Sequence, residues 1–155
     1  MSNIKLWVSS ELDCSAKQAF DDESRIANLT ATSKPFLTYA PVSPNPPPIN
    51  WQARELVVLR PRLFGMFALP PHGVMVEEFD PARYLIVTNE YGGVIRHWIH
   101  RMQIEPLAPK RCRQIDEIEA EIETGGWLIW KLSQTLYRYR HWRRRRLANF
   151  AVEKT

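Results

Sequence analysis

The chain has 155 residues, of which 45% are hydrophobic and 25% are charged, and its formal net charge is +4. This length suits a single domain over residues 1–155 that buries one sizeable core. No apolar run approaches the roughly 18–20 residues of a membrane span, and the N-terminus lacks the apolar block of a secretory signal, so we expect a cytoplasmic protein. The two cysteines, Cys14 and Cys112, do not form a C-x-x-C motif, which argues against a disulfide framework and a cysteine zinc site.

The first fifty residues predict one strand, two short helices and a second strand. The predicted bounds are Lys5–Leu12 for the first strand, Ala16–Phe20 and Asp22–Leu29 for the helices, and Phe36–Tyr39 for the second strand. Asp13 or Ser15 can cap the first helix. Residues 41–50 hold five of the twelve prolines, so this stretch cannot join a β-ladder and is predicted to be an extended loop.

The centre of the chain predicts a run of strands that ends in a long hairpin. The predicted strands are Ala53–Leu59, Leu63–Leu69, His72–Phe79, Tyr84–Glu90, Ile95–Pro106 and Arg111–Ile122. The first two are predicted to be separated at Arg60-Pro61-Arg62, because proline has no amide hydrogen for a ladder. Ile115, Ile118 and Ile122 are also spaced for an acidic helix, but the hairpin partner gives a strand here a consistent face.

The last hairpin presents one largely apolar face. With the turn centred on Ala108, the pairs on this face are Trp98 with Ile118, His100 with Asp116, Met102 with Gln114 and Ile104 with Cys112. Extending the pairing through the preceding turns gives two rows across one antiparallel sheet. The first row is Val76, Val87, Trp98 and Ile118, and the second is Glu78, Leu85, His100 and Asp116. Three turns agree on one apolar face, which favours a continuous sheet.

Residues 127–150 contain no Gly or Pro and predict a long C-terminal helix. Its predicted apolar stripe consists of Leu128, Leu132, Leu136, Tyr139, Leu147 and Phe150. An antiparallel sheet with one apolar face needs a cover, and this helix is the only long one predicted. The predicted fold class is therefore α+β.

This order of elements, together with specific residues, resembles the START-like or SRPBCC superfamily, which includes polyketide cyclase-like domains. The motifs that carry the resemblance are V-E-E-F-D-P-A-R-Y-L, W-I-H-R-M-Q-I-E-P, I-D-E-I and Y-R-Y-R-H-W-R-R-R-R-L. Trp98 and His100 match the W-x-H strand of small ligand-binding members, Asp116 matches their acid on the next strand, and residues 137–146 match their final helix. The resemblance implies a helix-grip fold, in which a curved antiparallel sheet of about six to seven strands wraps around the C-terminal helix. It also implies a hydrophobic cavity between them for lipids, sterols, polyketides or other apolar molecules, with enzymes in a minority of branches.

The candidate site centres on His100 and Asp116, an acid–base pair on the inward face. Three roles stay open for the pair: it fixes strand register, it hydrogen-bonds a ligand, or it transfers protons in catalysis. Glu78 shares their row but lies two strand spacings from His100, about 9–10 Å away. The residues predicted to line the ligand cavity are Tyr39, Phe64, Val76, Glu78, Leu85, Val87, Asn89, Trp98, His100, Met102, Gln114, Asp116, Ile118 and Trp130. A plain packed core remains an alternative for the aromatic and methionine members.

We predict neither a metal site nor a cofactor. His97, His100 and His141 are the candidate metal ligands, but His97 and His100 differ in strand parity, so their side chains should point to opposite faces of the sheet.

The C-terminal helix is strongly basic, since residues 123–155 hold eight Lys or Arg and only Glu123 and Glu153 as acids. Arg138, Arg140 and Arg143–Arg146 alternate with tyrosine and tryptophan. One interpretation is a solvated face that pairs with the acidic strand Asp116–Glu123. The other is an anionic partner, with a membrane surface or ligand headgroup preferred to nucleic acid.

The sequence thus predicts binding of an apolar small molecule or lipid between sheet and helix, oriented by His100 and Asp116 with the help of Asn89 or Tyr39. The enzyme alternative is a cyclase, aromatase or dehydratase of a polyketide-like substrate that uses the His–Asp pair. A third alternative is binding to an anionic surface through the Arg-rich helix.

Overall fold

The computed structural model describes residues 1–152, with side chains described through residue 149. The elements in chain order are β1 (Ser2–Leu12), α1 (Ala16–Glu23), α2 (Ala27–Ser33), β2 (Leu37–Pro41), β3 (Leu56–Leu63), β4 (Phe67–Ala68), β5 (His72–Asp80), β6 (Leu85–Gly92), β7 (Ile95–Ala108), β8 (Arg111–Ile122) and α3 (Gly126–Val152). The predicted α+β class, the two short helices after the first strand and the long C-terminal helix are confirmed. Within the described residues, no helix combines the length and the apolar character needed to cross a bilayer.

One antiparallel sheet forms the body of the fold. Its strand order is β1-β8-β7-β6-β5-β3-β2, and the two-residue β4 pairs with β3. The first strand closes against the last, because β1 pairs with β8 from Ser2 opposite Ile122 to Leu12 opposite Cys112. The sheet curls into a half-barrel, and the prediction of a curved sheet with a long C-terminal helix is confirmed.

The hydrophobic core consists of two clusters on the inner side of the sheet. The larger cluster joins α1 to the strands and includes Leu12, Ala19, Phe20, Val76, Ile86, Met102, Ile104 and Cys112. The smaller cluster lies where β1, β7 and β8 meet α3 and includes Ile4, Leu6, Trp98, Ile118, Ile122 and Tyr137. Burying one large apolar side chain contributes about 1.5–3 kcal/mol, so these clusters fix both α1 and α3 against the sheet.

The second helix begins five residues later than predicted, at Ala27 rather than Asp22. The residues before it pair with the end of the proline loop instead of continuing a helix. The Trp51 amide donates to the Ser24 carbonyl at 2.9 Å, and an isolated β-bridge follows at the next residue. These contacts tie the proline loop to the end of α1.

Strand β3 runs through Arg60-Pro61-Arg62, so the prediction of two strands separated there is wrong. The Pro61 carbonyl accepts a hydrogen bond from the Leu69 amide at 2.9 Å, which shows that the backbone of Pro61 faces the β4 side. Its partner across the β2 ladder is Tyr39. Because successive residues point their backbone groups to opposite sides of a strand, the missing amide hydrogen of Pro61 removes no bond to β2.

Strands β7 and β8 form the predicted hairpin, and the acidic-helix alternative for its second arm is excluded. The predicted register is wrong by two residues, since His100 lies opposite Ile118 rather than Asp116. The turn is shorter than predicted, because β7 continues to Ala108 and its ladder shifts after Pro106. A shift of two keeps each side chain on its predicted face, so His100 and Asp116 still point inward.

The register between β6 and β7 is wrong by an odd number of residues. Thr88 lies opposite His100, where Leu85 was predicted, and the ladders shift once after Val76 and once after Glu90. An odd shift exchanges the two faces of a strand. Three residues predicted to point inward lie on the outer face, namely Glu78, Val87 and Asn89. Thr88 and Glu90 occupy the inner face of β6 instead.

Helix α3 buries a different face from the predicted stripe. Leu128 and Leu132 are 52% and 61% exposed, and the side chain of Phe150 lies outside the described residues. The buried face consists of Tyr137, His141, Arg144 and Ala148. Their spacing is helical, but two of the four, His141 and Arg144, are polar. Hydrophobic periodicity therefore predicted the wrong face of the helix.

Candidate functional site

A cavity of about 210 Å³ lies between the sheet and α3. Its apolar wall includes Trp51, Val74, Ile86, Trp98, Met102 and Leu136. Its polar wall includes Tyr39, His72, Thr88, Glu90, His100, Tyr137 and Arg140. An apolar cavity with a few convergent polar groups is the usual form of a small-molecule site.

Glu90 is the acidic group at the centre of the polar wall. Its Oε2 lies 2.8 Å from Nε2 of His72, and its Oε1 accepts a hydrogen bond from the Thr88 hydroxyl at 2.9 Å. Nδ1 of His100 lies 3.7 Å from the same Oε1. Strands β5 and β7 flank β6, which is why one histidine from each neighbour reaches Glu90.

Asp116 lies behind this wall and contacts two imidazoles. Its Oδ1 is 2.5 Å from Nε2 of His100, and its Oδ2 is 2.5 Å from Nε2 of His141 on α3. The Gln114 amide donates to Oδ2 at 3.2 Å, and Nδ1 of His141 lies 2.7 Å from the Ser10 hydroxyl. We call the resulting series of contacts the polar chain; its members are Ser10, His141, Asp116, His100, Glu90 and His72.

The polar chain holds its central groups in their charged forms. Burial alone would raise the pKa of Asp116, but the contacts with His100 and His141 outweigh it and hold that pKa well below its usual range. In the same way, burial opposes the ionisation of Glu90, and the contacts with His100 and His72 lower its pKa. Burial would lower the pKa of His100, but the two carboxylates raise it to about 9. At neutral pH, the cavity wall therefore carries an imidazolium beside a carboxylate.

The opposite wall, on α3, is aromatic and cationic. Tyr137 packs edge-on against His100, with ring centroids 5.4 Å apart, and the guanidinium of Arg140 lies 5.0 Å from the Tyr137 ring. Burial raises the pKa of the Tyr137 phenol, and the negative charge of Glu90 adds to this effect. The phenol therefore remains neutral and can donate a hydrogen bond across the physiological pH range.

Trp98 brings an unsatisfied donor to the cavity wall. Its side chain is buried, and within the described residues its Nε1 has no hydrogen-bond partner. A buried donor without an acceptor costs about 1–3 kcal/mol, so this group gains from any ligand that supplies an oxygen.

Four of the residues predicted from the sequence line the cavity, namely Tyr39, Trp98, His100 and Met102. Their role in binding stays a prediction. Four others are buried close by but lie outside the cavity wall, namely Val76, Gln114, Asp116 and Ile118. Asp116 thus contacts His100 but does not itself line the cavity.

The structure places the other predicted residues away from the cavity. Glu78 lies on the outer face and pairs with Arg83, and Val87 and Asn89 share that face. Phe64 lies in the turn between β3 and β4 and is 54% exposed. Leu85 is fully buried but does not line the cavity. Trp130 packs against β1, where its Nε1 donates to the Lys5 carbonyl at 3.1 Å.

Sequence reasoning missed Glu90 and His72, and it considered His141 only as a metal ligand and not as a partner of Asp116. The predicted inner positions of Val87 and Asn89 leave Glu90 on the outer face by alternation, because the two ladder shifts around β6 leave no mark in the hydrophobic pattern. One signal for His141 was available, since Tyr137, His141 and Arg144 are spaced as one helical face.

Metal binding finds no support in the geometry. Across residues 1–152, no group of three or more His, Cys, Asp or Glu side chains is arranged to hold a metal ion. His97 lies exposed opposite Glu121, whereas His100 points into the cavity, so the two histidines diverge as their parity predicted.

The basic residues of α3 divide into a buried and an exposed group. Arg144 is buried, and it donates to Oε1 of Glu23 at 2.9 Å and to the Ala19 carbonyl at 3.1 Å. Arg143 donates to the Ala31 carbonyl at 3.2 Å. These arginines tie α3 to α1 and α2, and not to the acidic strand β8 that one of the two interpretations paired with the helix. Arg138, Arg145 and Arg146 are exposed.

No protein-family model and no curated protein matches the sequence. Solved structures, in contrast, match nearly the whole chain. A START superfamily protein from Mycobacterium smegmatis is 15% identical, with a TM-score of 0.66, over 97% of this chain and 99% of its own. The Zhui aromatase/cyclase from a Streptomyces species is 10% identical, with a TM-score of 0.59, over 96% and 89%.

Norcoclaurine synthase from Thalictrum flavum, solved in complex with dopamine and hydroxybenzaldehyde, is 11% identical, with a TM-score of 0.65, over 99% of this chain and 89% of its own. Sequence identities this low show a common fold and leave the activity open. The element order, the curled sheet, the long final helix and these matches agree, and the chain therefore has the helix-grip fold of the START-like, or SRPBCC, proteins.

Proposed function

We propose that this protein binds a small, largely apolar molecule in the cavity between the sheet and α3. The observation that carries the proposal is the cavity itself, an apolar space with Glu90, His72 and His100 gathered in its wall. A ligand would gain affinity from burial of its apolar surface and orientation from these polar groups. Structural neighbours that include a protein solved with two aromatic ligands support this class of function.

The volume of the cavity limits the size of the ligand. An engineered protein cavity of about 150 Å³ holds benzene, and sites for drug-sized ligands begin at about 300 Å³. A cavity of about 210 Å³ therefore suits a single ring with short substituents. A multi-ring polyketide or a long acyl chain would need the cavity to widen.

The polar groups indicate the substituents that the ligand should carry. The unsatisfied Nε1 of Trp98 and the imidazolium of His100 are donors, which favours a carbonyl or other oxygen acceptor on the ligand. The Glu90 carboxylate is an acceptor, which favours a hydroxyl group. Small phenols and aromatic aldehydes satisfy these conditions.

The test uses two neighbouring positions on opposite faces of β6. Ile86→Trp fills the cavity, whereas Val87→Trp adds the same side chain to the outer face. Calorimetric titration with single-ring phenols and aromatic aldehydes should show binding to the wild type and to Val87→Trp, and at least about tenfold weaker binding to Ile86→Trp. Circular dichroism checks folding, and Val74→Phe replaces Ile86→Trp if that variant does not fold.

Two results would contradict the proposal. One is the absence of binding of any single-ring compound to the wild type at millimolar concentration. The other is equal binding to the folded cavity-filled variant and to Val87→Trp.

A second candidate function, proton transfer on a bound carbonyl compound, is favoured by the polar chain. The Glu90 carboxylate can accept a proton from a carbon next to a carbonyl. The His100 imidazolium and the indole N–H of Trp98 can then stabilise the negative charge on the enolate oxygen. Cyclase, aromatase and dehydratase reactions begin with such a step. Asp116 would serve as a positioning group, because it does not reach the cavity.

The enzyme candidate is tested with phenylacetaldehyde in deuterated buffer. The wild type should speed exchange of the hydrogens next to the carbonyl, measured by NMR, and Glu90→Gln should lose about 100-fold or more of that rate while keeping affinity. Exchange no faster than in buffer, under conditions in which binding is saturated, would exclude this reaction.

A further inference from the structure

A patch of exposed aromatic residues lies where α3 passes β2 and the β3–β4 turn. The ring of Trp142 lies 5.6 Å from Tyr139, Tyr139 lies 4.9 Å from Phe36, and Phe36 lies 6.4 Å from Phe64. We define the aromatic patch as Phe36, Phe64, Met66, Phe67, Tyr139 and Trp142. Phe64, Met66 and Phe67 are 54%, 70% and 61% exposed, so large apolar side chains project together into solvent.

The turn between β3 and β4 has an ordered backbone that exposes these side chains. Phe64 and Gly65 both have left-handed backbone conformations, with φ of 53° and 70°, which is unfavourable for a residue as bulky as phenylalanine. The turn is held by the Phe64 amide, which donates to the Phe36 carbonyl at 2.8 Å, and by the Met66 amide, which donates to the Leu63 carbonyl. An ordered backbone that exposes apolar residues in this way is typical of an interaction surface.

The chain segments that supply the aromatic patch carry basic residues and no acidic ones. No Asp or Glu occurs in residues 27–54, 56–76 or 124–152, which supply α2, β2, β3, β4 and α3. The guanidinium of Arg146 lies 4.5 Å from the Trp142 ring. The exposed cations on these segments include Lys34, Arg62, Arg138, Arg145 and Arg146. The patch is therefore complementary to an anionic surface that also accepts apolar side chains.

The aromatic patch adjoins the cavity. Leu37, the next residue after Phe36, lines the cavity, and so does Leu69, two residues after Phe67. On the helix, Arg140 of the cavity wall directly follows Tyr139. A surface bound at the patch would thus lie close to these cavity-lining residues.

We propose that the aromatic patch docks this protein on an anionic lipid bilayer. Tryptophan and tyrosine favour the membrane interface, phenylalanine and methionine insert among the acyl chains, and arginine and lysine attract acidic headgroups. Nucleic acid also binds cations and aromatic rings, but it offers no apolar phase for the tip formed by Phe64, Met66 and Phe67. The bilayer is the partner that uses every part of the patch.

Co-sedimentation with vesicles tests the docking. One set of vesicles contains phosphatidylcholine alone, and the other contains 30% phosphatidylserine. The wild type should partition at least about tenfold more strongly to the anionic vesicles, and 0.5 M salt should weaken this binding. Arg145→Gln with Arg146→Gln should weaken it by about fivefold for each charge removed.

The apolar part is tested with Met66→Ser and Phe67→Ser together, which should also reduce vesicle binding by at least about tenfold. Trp7→Ser is the matched control, because Trp7 is 61% exposed on β1, outside the aromatic patch. Lys110→Gln is the charge control, since Lys110 lies exposed in the β7–β8 turn. Both controls should bind vesicles as the wild type does.

Three outcomes would overturn the proposal. They are equal partition to both kinds of vesicle, loss of binding in the controls that matches the loss in the patch variants, and tight binding to a single-stranded oligonucleotide with no vesicle binding. Ligand titration in the absence of lipid tests the cavity separately, so failure of the docking leaves the proposed function standing.

Discussion

His100 and Asp116 form a buried ion pair whose contribution to stability depends on pH in two directions. The pKa of Asp116 is lowered by folding, so its contribution is present above the unfolded pKa of about 3.9 and is lost as the pH falls. The pKa of His100 is raised to about 9, so its contribution is complete below the unfolded pKa of about 6.5 and is lost as the pH rises through 9. The pair therefore stabilises the fold most between about pH 4 and 6.5.

The variant His100→Gln tests this pH dependence. In the wild type, the free energy of unfolding should decline by an amount on the order of 3 kcal/mol between about pH 6.5 and 9, as His100 loses its proton. His100→Gln removes the imidazole and should abolish this decline. Urea unfolding at a series of pH values measures the difference. The matched control is His97→Gln on the exposed face, which should keep the wild-type slope. Identical slopes in His100→Gln and the wild type would show that the pair is not the cause.

At the scale of single residues, the sequence predicted a contact but not its neighbours. Alternation along β7 and β8 was enough to bring His100 and Asp116 to one face, because a register error of two leaves the faces unchanged. The same reasoning failed for Glu90, since an odd shift reverses the faces and nothing in the side-chain pattern reveals a bulge. The composition of the polar wall therefore emerged only from the structure.

At the scale of elements, hydrophobic periodicity predicted the strands well and the final helix poorly. The long arms of β7 and β8 alternate between apolar and polar residues, so their faces were readable. Helix α3 instead buries His141 and Arg144, which pair with acids from the sheet and from α1. A helix that is held by buried ion pairs shows no hydrophobic pattern on the face that packs against the rest of the protein.

Adjacent arginines on α3 provide a direct test of this docking. Arg144→Gln removes the cation paired with the half-buried Glu23 and should cost about 2–3 kcal/mol of unfolding free energy, because Glu23 then keeps only its hydrogen bond from Asn28. Arg145→Gln changes an exposed side chain and should stay within about 0.5 kcal/mol of the wild type. Chemical denaturation of both variants measures the contrast. Equal stabilities would mean that the Arg144–Glu23 pair does not stabilise the packing of α3 against α1.

At the scale of the whole molecule, the predicted architecture is correct because it depends on coarse features. The order of elements, one apolar sheet face and one long helix leave few ways to assemble the chain. The cavity was expected only from the resemblance to START-like proteins. Its volume depends on how the rings of Trp51, Trp98 and Tyr137 pack, and no pattern along the sequence specifies that packing.

The β2–β4 end of the sheet should open more readily than the interior strands β7 and β8. The β3–β5 ladder covers Leu56–Leu59, and Arg54 and Glu55 add two backbone hydrogen bonds to Val76. The β7–β8 ladder is much longer, because it extends over Ile95–Ala108 of β7. Strand β2 supplies Leu37 to the cavity wall, β3 supplies Pro61, and Leu69 follows directly after β4. Because a short ladder needs fewer broken hydrogen bonds to open, these outer strands should be the route by which a ligand enters.

Hydrogen exchange followed by mass spectrometry measures this difference. Peptides from β2 to β4 should exchange much faster than peptides from β7 and β8, and a bound single-ring ligand should slow the exchange of β2 to β4 while leaving β7 and β8 unchanged. The Ile86→Trp variant is the control for ligand contact, since it has no room for the ligand. Uniform protection across the sheet would contradict entry through the outer strands and would direct the search for the opening to the ends of α3.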